Sequence, residues 1–169
     1  MGAPLQIDSR QQASKHVHKN RWFAAHGIET VGKCLDFGDY MVAGSNISVD
    51  TKKDVDELAM DLGRDHARFI RECDRAAAAG YRLVVLVEQH PEFNDRSRLF
   101  NWKSYACRRC GECDPNRERC VRRRFKPMCG STLLKIMAKV EKDHGARFEF
   151  CSKRVAARRI CELLGIGYE

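Results

Sequence analysis

Apolar and polar residues alternate through "ISVDTK" at 47–52, and the alternation stops in a run of charges, Asp50, Lys52, Lys53, Asp54 and Asp56. A period of two marks a half-buried strand. The same reading makes "PLQID" at 4–8 a short strand ending in Asp8. Residues 28–36 and 39–43 also read as extended, with turns at Gly38 and at Gly44–Asn46. The three segments 28–36, 39–43 and 46–52 predict an antiparallel meander. The helical period appears first over 11–26, with Gly27 as its stop. It returns over 54–79, where Val55, Leu58, Leu62, His66, Phe69 and Cys73 form one stripe. Gly63 is the point at which that helix kinks or divides, and Gly80 ends it.

The second half reads as β, insertion, α, β, α. "YRLVVLVE" at 81–88 is a near-continuous apolar run, the pattern of a strand buried on both faces. Residues 89–103 are irregular. A helix starts at Ser131 or Thr132 and stops at Gly145, "ARFEFC" is a strand, and 152–165 is a last helix with Val155, Ile160, Leu163 and Leu164 inward. Strands in that order lie parallel under covering helices. The 169 residues fit one domain, with 104–130 as an insertion in one of its loops.

The charge narrows the partner. Lys plus Arg number 31 against 23 Asp plus Glu, a net charge of +8, which favours polyanions and nucleic acid first. The excess is concentrated in 103–126 and in "SKRVAARR" at 152–159. No apolar run approaches a membrane span, and "MGAPLQIDSR" has neither a secretion signal nor the Ser or Thr that N-myristoylation requires at its sixth position. The expectation is an intracellular protein without a membrane partner.

The strand end at 50–52 carries the candidate chemistry. Residues i and i+2 of a strand share a face, so Asp50 and Lys52 point the same way and Thr51 opposes them. A carboxylate holds Mg²⁺ or Mn²⁺, and an adjacent ammonium orients water or stabilises charge on a phosphate. A tight meander brings Asp39, just after Gly38, beside Asp50. By itself a D-x-K triplet reads as a surface ion pair. Glu88, at the end of its strand, reads either as a wall of the same cleft or as a solvated terminus. His66 reads as a packed or capping histidine, and His16 and His18 as phosphate contacts outside the catalysis.

Nine cysteines, five of them within 107–129, point to a metal rather than disulfides. Cys107 and Cys110 have the C-x2-C spacing of a zinc grip, eased by Gly111. Two of Cys113, Cys120 and Cys129 would complete a tetrahedral site. The spacing of the first three also fits an iron–sulfur cluster. The insertion holds few apolar residues, so the metal would supply its folding energy. Arg108, Arg109, Arg122, Arg123 and Arg124 would then neutralise DNA phosphates. Cys34, Cys73, Cys151 and Cys161 read as core residues.

Together "IDSRQ" at 7–11, "LDFGDYMV" at 35–42 and "VDTKKDVDEL" at 49–58 resemble the nuclease domain of the XPF family of structure-specific endonucleases, a branch of the PD-(D/E)XK superfamily. "DHARFIREC", "RLVVLVE" and the closing stretch 133–165 resemble that family's later elements in order. The resemblance implies a restriction-endonuclease-like three-layer α/β/α fold with a mixed central sheet, here with a small Cys-rich zinc-knuckle insertion. It implies a divalent-metal-dependent endonuclease acting on branched, flap or junction DNA, and a homodimer. The rival reading is a DNA-binding scaffold with a decayed site. Asp39 resembles the family's G-D-Y aspartate, Asp50 and Lys52 its E and K, Asp56 the last D of E-R-K-x-x-x-D, and Asp8 the first D of D-x-R-E. Three positions depart: Asp50 replaces Glu, Thr51 replaces Arg, and Gln11 replaces Glu. Many relatives grip DNA with a tandem helix-hairpin-helix module; none is expected here, and the zinc knuckle is the expected substitute.

Overall fold

The apolar run "RLVVLVE" occupies the interior of the sheet, buried at six of its seven positions. The computed structural model describes residues 3–168 apart from 12, 90, 94, 113, 115 and 116. Its strands are β1 (Leu5–Asp8), β2 (Thr30–Lys33), β3 (Tyr40–Val42), β4 (Ile47–Lys52), β5 (Arg82–Glu88) and β6 (Arg147–Cys151). They form one mixed sheet in the order β2-β1-β3-β4-β5-β6. The helices are α1 (Ala13–Ala25), α2 (Val55–Leu62), α3 (His66–Ala78), α4 (Tyr105–Cys110), α5 (Gly130–His144) and α6 (Ala156–Leu164).

Alternation along β5 divides the interior into two cores. Leu83, Val85 and Val87 pack with Leu58 of α2, Phe69 of α3 and Met137 of α5. Leu86 joins Leu5, Tyr40 and Val49 against Phe23 of α1 and Ile160 of α6. This is the three-layer α/β/α arrangement that the sequence predicts. Each such buried side chain contributes about 1.5–3 kcal/mol relative to exposure.

The meander is corrected. Only β3 and β4 form the expected antiparallel pair. β1 lies between β2 and β3, parallel to β2 and antiparallel to β3. Helix α1 is the reason: a strand, a helix and a returning strand bring the chain back in the same direction. β2 is therefore a fully exposed edge strand, and Cys34 just after it is exposed rather than core. Cys73, Cys151 and Cys161 are buried as expected.

The stripe over 54–79 divides at Gly63 into α2 and α3. A Cβ at Gly63 would stand 2.9 Å from the Ala59 carbonyl oxygen. His66 opens α3 and is exposed, so it belongs to neither core. The irregular 89–103 segment contains two short 3-10 turns. An isolated Lys103–Cys129 bridge closes the base of the insertion. α5 begins at Gly130, one residue before the expected start, with Cys129 as its N-cap. A Cβ at Gly130 would lie 1.7 Å from the Leu99 carbonyl oxygen, so glycine alone permits this approach.

Candidate active site

β4 and β5 run parallel, with Asp50 opposite Val85 and Lys52 opposite Val87. Their charged ends, Asp50, Lys52 and Glu88, therefore emerge at one edge of the sheet. The turn at Gly38 positions the third carboxylate, Asp39. Gly38 adopts φ +67°, and a Cβ there would sit 2.2 Å from Ser48 Oγ. The turn delivers Asp39, whose N–H donates to the Val49 carbonyl at 2.7 Å.

These residues line a cleft of about 490 Å³. Asp39, Asp50, Thr51 and Lys52 form one side, Glu88 with Lys19 and His16 another, and Asp61 with Arg68 a third. The exposed cations Lys53, Arg68 and Lys153 stand along it. The floor is thus acidic and the rim basic.

Thr51 braces Asp39. Its N–H donates to Asp39 Oδ2 at 2.9 Å and its hydroxyl to the same oxygen at 2.5 Å. Gln11 Nε2 donates to the Asp39 backbone carbonyl at 2.9 Å. Two of the three departures from the family pattern, Thr51 and Gln11, therefore act on Asp39 itself.

Lys52 sits between two carboxylates. Its Nζ is 2.7 Å from Asp50 Oδ2 and 2.6 Å from Asp61 Oδ2. Burial pushes the Asp50 carboxyl up to about 7; Lys52 opposes the shift, while Asp39 and Glu72 add to it. Burial also disfavours the Lys52 ammonium, but Asp50 and Asp61 outweigh it and raise its pKa above the ordinary lysine value. Lys52 is therefore a permanent cation.

Asp61 and Lys19 carry no motif, and sequence reading passed over both. Asp61 is 5% exposed, and its Oδ1 accepts from Arg68 Nη2 at 2.8 Å. Lys19 is 2% exposed and ion-paired with Glu88. The available signal was position: Asp61 follows Leu58 by three residues, and Lys19 precedes Phe23 by four. Each lies on an inward helical face, where a charge requires a partner. Glu88 proves to be a cleft wall rather than a solvated terminus, and His18 Nε2 lies 3.2 Å from its Oε2. Burial lowers the His18 pKa, against the pull of Glu88. His16 Nδ1 bonds the Tyr40 hydroxyl at 2.7 Å.

Two predicted carboxylates lie outside the cleft lining. Asp8 accepts from Arg10 Nε at 3.1 Å and from the Leu35 N–H at 3.2 Å. Asp56 accepts from the Tyr105 N–H at 3.0 Å and from Arg108 Nη2 at 2.7 Å. It ties α2 to the insertion.

Within the insertion, Cys107, Cys110 and Cys120 line one small cavity of about 20 Å³. Cys129 faces Ser131 and Thr132 instead, at 3.3 and 3.4 Å. Burial would raise the Cys129 thiol, but those hydroxyls and nearby Lys126 carry it down to about 7. Cys113 lies outside the described residues. Among the described residues no three His, Cys, Asp or Glu are already gathered as metal ligands. Arg122 is ion-paired with Glu112, Arg124 lies over the Phe125 ring, and Arg123 lines the cysteine cavity.

The family described as the ERCC4 domain matches residues 7–156, from the end of β1 to the start of α6. The chain belongs to the ERCC4 domain family. No curated protein matches it. ERCC4 domains are nuclease-type domains involved in DNA processing, and this one carries a mixed α/β fold around a six-stranded sheet. Among its described residues no helix is long and apolar enough to cross a membrane. In this ERCC4 domain the cleft gathers Asp39, Asp50 and Lys52 at the sheet edge, while Asp8 and Asp56 face other partners.

Proposed function

We propose that this ERCC4 domain is a divalent-metal-dependent endonuclease that hydrolyses phosphodiester bonds in branched, flap or junction DNA. One observation carries the reading. The buried Asp50 carboxyl and Asp39 line one cleft together with the Lys52 ammonium, and burial raises the Asp50 pKa, so a cation there would favour its ionised form. Asp39 and Asp50 would hold Mg²⁺ or Mn²⁺ and leave open positions for water and phosphate. The bound ion would supply Lewis acidity and an acidified water.

The residues of the chain itself do the rest. Thr51 holds Asp39 Oδ2, which leaves Oδ1 for the ion. Asp50 and Asp61 keep Lys52 charged and hold it in place, so it steadies negative charge on the phosphate rather than accepting a proton. Lys53, Arg68 and Lys153 grip flanking phosphates. Asp8 and Asp56 support the fold beside the cleft rather than the ion.

A structural zinc ion in the Cys107–Cys110–Cys120 cavity, completed by a further donor of the insertion, and a homodimer belong to the same proposal. The cavity's size supports the first, since about 10–15 Å³ already holds one water.

Cleavage of linear, flap and four-way-junction DNA with Mg²⁺ tests the reading. Activity on the branched substrates that disappears in Asp50→Ala is expected. Binding of DNA with no cleavage by either protein would favour a non-catalytic scaffold.

A further inference from the structure

The insertion is tied to α2 through Asp56, the neighbour of a cleft-lining residue. Asp56 stands in the first turn of α2, next to Glu57, which lines the cleft. Its carboxylate takes the Tyr105 N–H and the Arg108 guanidinium. Arg108 also donates to the Lys103 carbonyl at 2.5 Å. The two bonds to Asp56 anchor α4 to α2, and the Lys103 bond orients the Arg108 guanidinium.

The anchored unit presents an aromatic ring to solvent. Tyr105 is 59% exposed. The guanidinium carbons of Arg108 and Arg109 lie 5.8 and 5.6 Å from its ring centroid. Arg109 also donates to the Tyr105 hydroxyl at 3.3 Å. The pairing recurs further along the insertion: Phe125 is 76% exposed, with the Arg124 guanidinium carbon 5.3 Å from its centroid. Exposed rings with guanidinium groups beside them suit one class of partner. A ring face stacks on an unpaired base, and the exposed cations Arg109 and Arg124 meet the backbone phosphates that flank it. A fully paired duplex offers the phosphates but keeps its base faces stacked inside.

We propose that Tyr105, flanked by Arg108 and Arg109, is a stacking platform for an unpaired base of the DNA strand leaving the cleft, so that the insertion reads the boundary between paired and unpaired DNA. The proposal rests on the reading of the cleft as a nuclease site. It gives Asp56 a positioning role, since Asp56 ties the platform to α2, whose Glu57 lines the cleft.

The test measures binding without cleavage, in buffer lacking added Mg²⁺. The probe is a duplex with one unpaired arm whose first unpaired base is a fluorescent adenine analogue. A blunt duplex with the analogue paired is its control. The wild-type protein is expected to quench the analogue in the forked probe and not in the blunt one. Tyr105→Ala is expected to abolish the quench and weaken forked binding about tenfold while leaving blunt binding unchanged. Tyr105→Phe, which keeps the ring, is expected to retain both. Wild-type protein that fails to quench the forked probe would overturn the proposal without recourse to any variant. Equal loss of forked and blunt affinity in Tyr105→Ala would also overturn it, because phosphate contact alone behaves that way. An inactive cleft leaves the quench intact, so failure of the nuclease reading is visible separately.

Discussion

Thr51 donates both its N–H and its hydroxyl to the same oxygen of Asp39, at 2.9 and 2.5 Å. The position where the XPF pattern carries arginine is therefore occupied here by a brace for the Asp39 carboxylate. Partners that orient a ligand usually set metal affinity within about 10–100-fold. Thr51→Val keeps the shape and the N–H but loses the hydroxyl. Half-maximal cleavage in a Mg²⁺ titration should then require about tenfold more metal. An unchanged titration would show that the hydroxyl does not position Asp39.

Asp61 is the second carboxylate on Lys52 beside Asp50 and shares itself with Arg68. Asp61→Ala leaves a buried ammonium with one carboxylate in place of two. Breaking a buried pair in this way costs about 3 kcal/mol. For a domain of this size, thermal unfolding should occur about 6–12 °C lower. Asp61→Asn, which can still accept from Lys52, should lose less. Equal melting temperatures for the Ala variant and the wild type would mean that Lys52 is held by Asp50 alone.

Burial sets a pH signature. Asp50 has a folded-state pKa near 7, above the ordinary carboxyl value of about 4. Between about pH 4 and pH 7 the folded protein holds a proton that the unfolded chain has released. The Asp50 contribution to stability is therefore full at the acid end and is lost as pH rises through that window. In the presence of chelator, the melting temperature of the wild type should fall across pH 4–7 relative to that of Asp50→Asn, in which the titrating group is gone. Mg²⁺ should reverse the loss at the alkaline end, where the carboxylate is ionised. Parallel curves for the two proteins would place the Asp50 pKa in the ordinary range.

Much of this site was legible in the sequence, for a local reason. Asp50 and Lys52 share a face because strand side chains alternate, and Gly38 marks the turn that brings Asp39 to them. What was not legible depends on contacts between distant segments. Asp61 meets Lys52, and Lys19 meets Glu88, through packing of α2 and α1 against the sheet. Asp56 kept its place in the motif, yet its carboxylate turns to Tyr105 and Arg108, which come from the insertion. In the fold, the placement of β1 between β2 and β3 was hidden because both neighbours looked like consecutive strands. The periodicity that found the helices could not show which strand α1 returned the chain beside.

The cysteines give a compositional prediction. Purified protein should contain about one zinc per chain and lack the visible absorbance of an iron–sulfur cluster. Cys107→Ser combined with Cys110→Ser should remove the zinc and make the insertion sensitive to protease. The α/β/α core should stay folded. Metal-free protein with a protected insertion would mean that the thiols serve packing alone.

The most direct measurement is single-turnover cleavage of one flap DNA by the wild type, Asp50→Ala and Lys52→Ala, each with Mg²⁺ and with chelator. Cleavage by the wild type only with Mg²⁺, and a loss of at least about a hundredfold in both variants with DNA binding retained, is the expected result. Cleavage by Asp50→Ala at the wild-type rate, or by any of the three in chelator, would contradict a metal-dependent nuclease built on Asp39, Asp50 and Lys52.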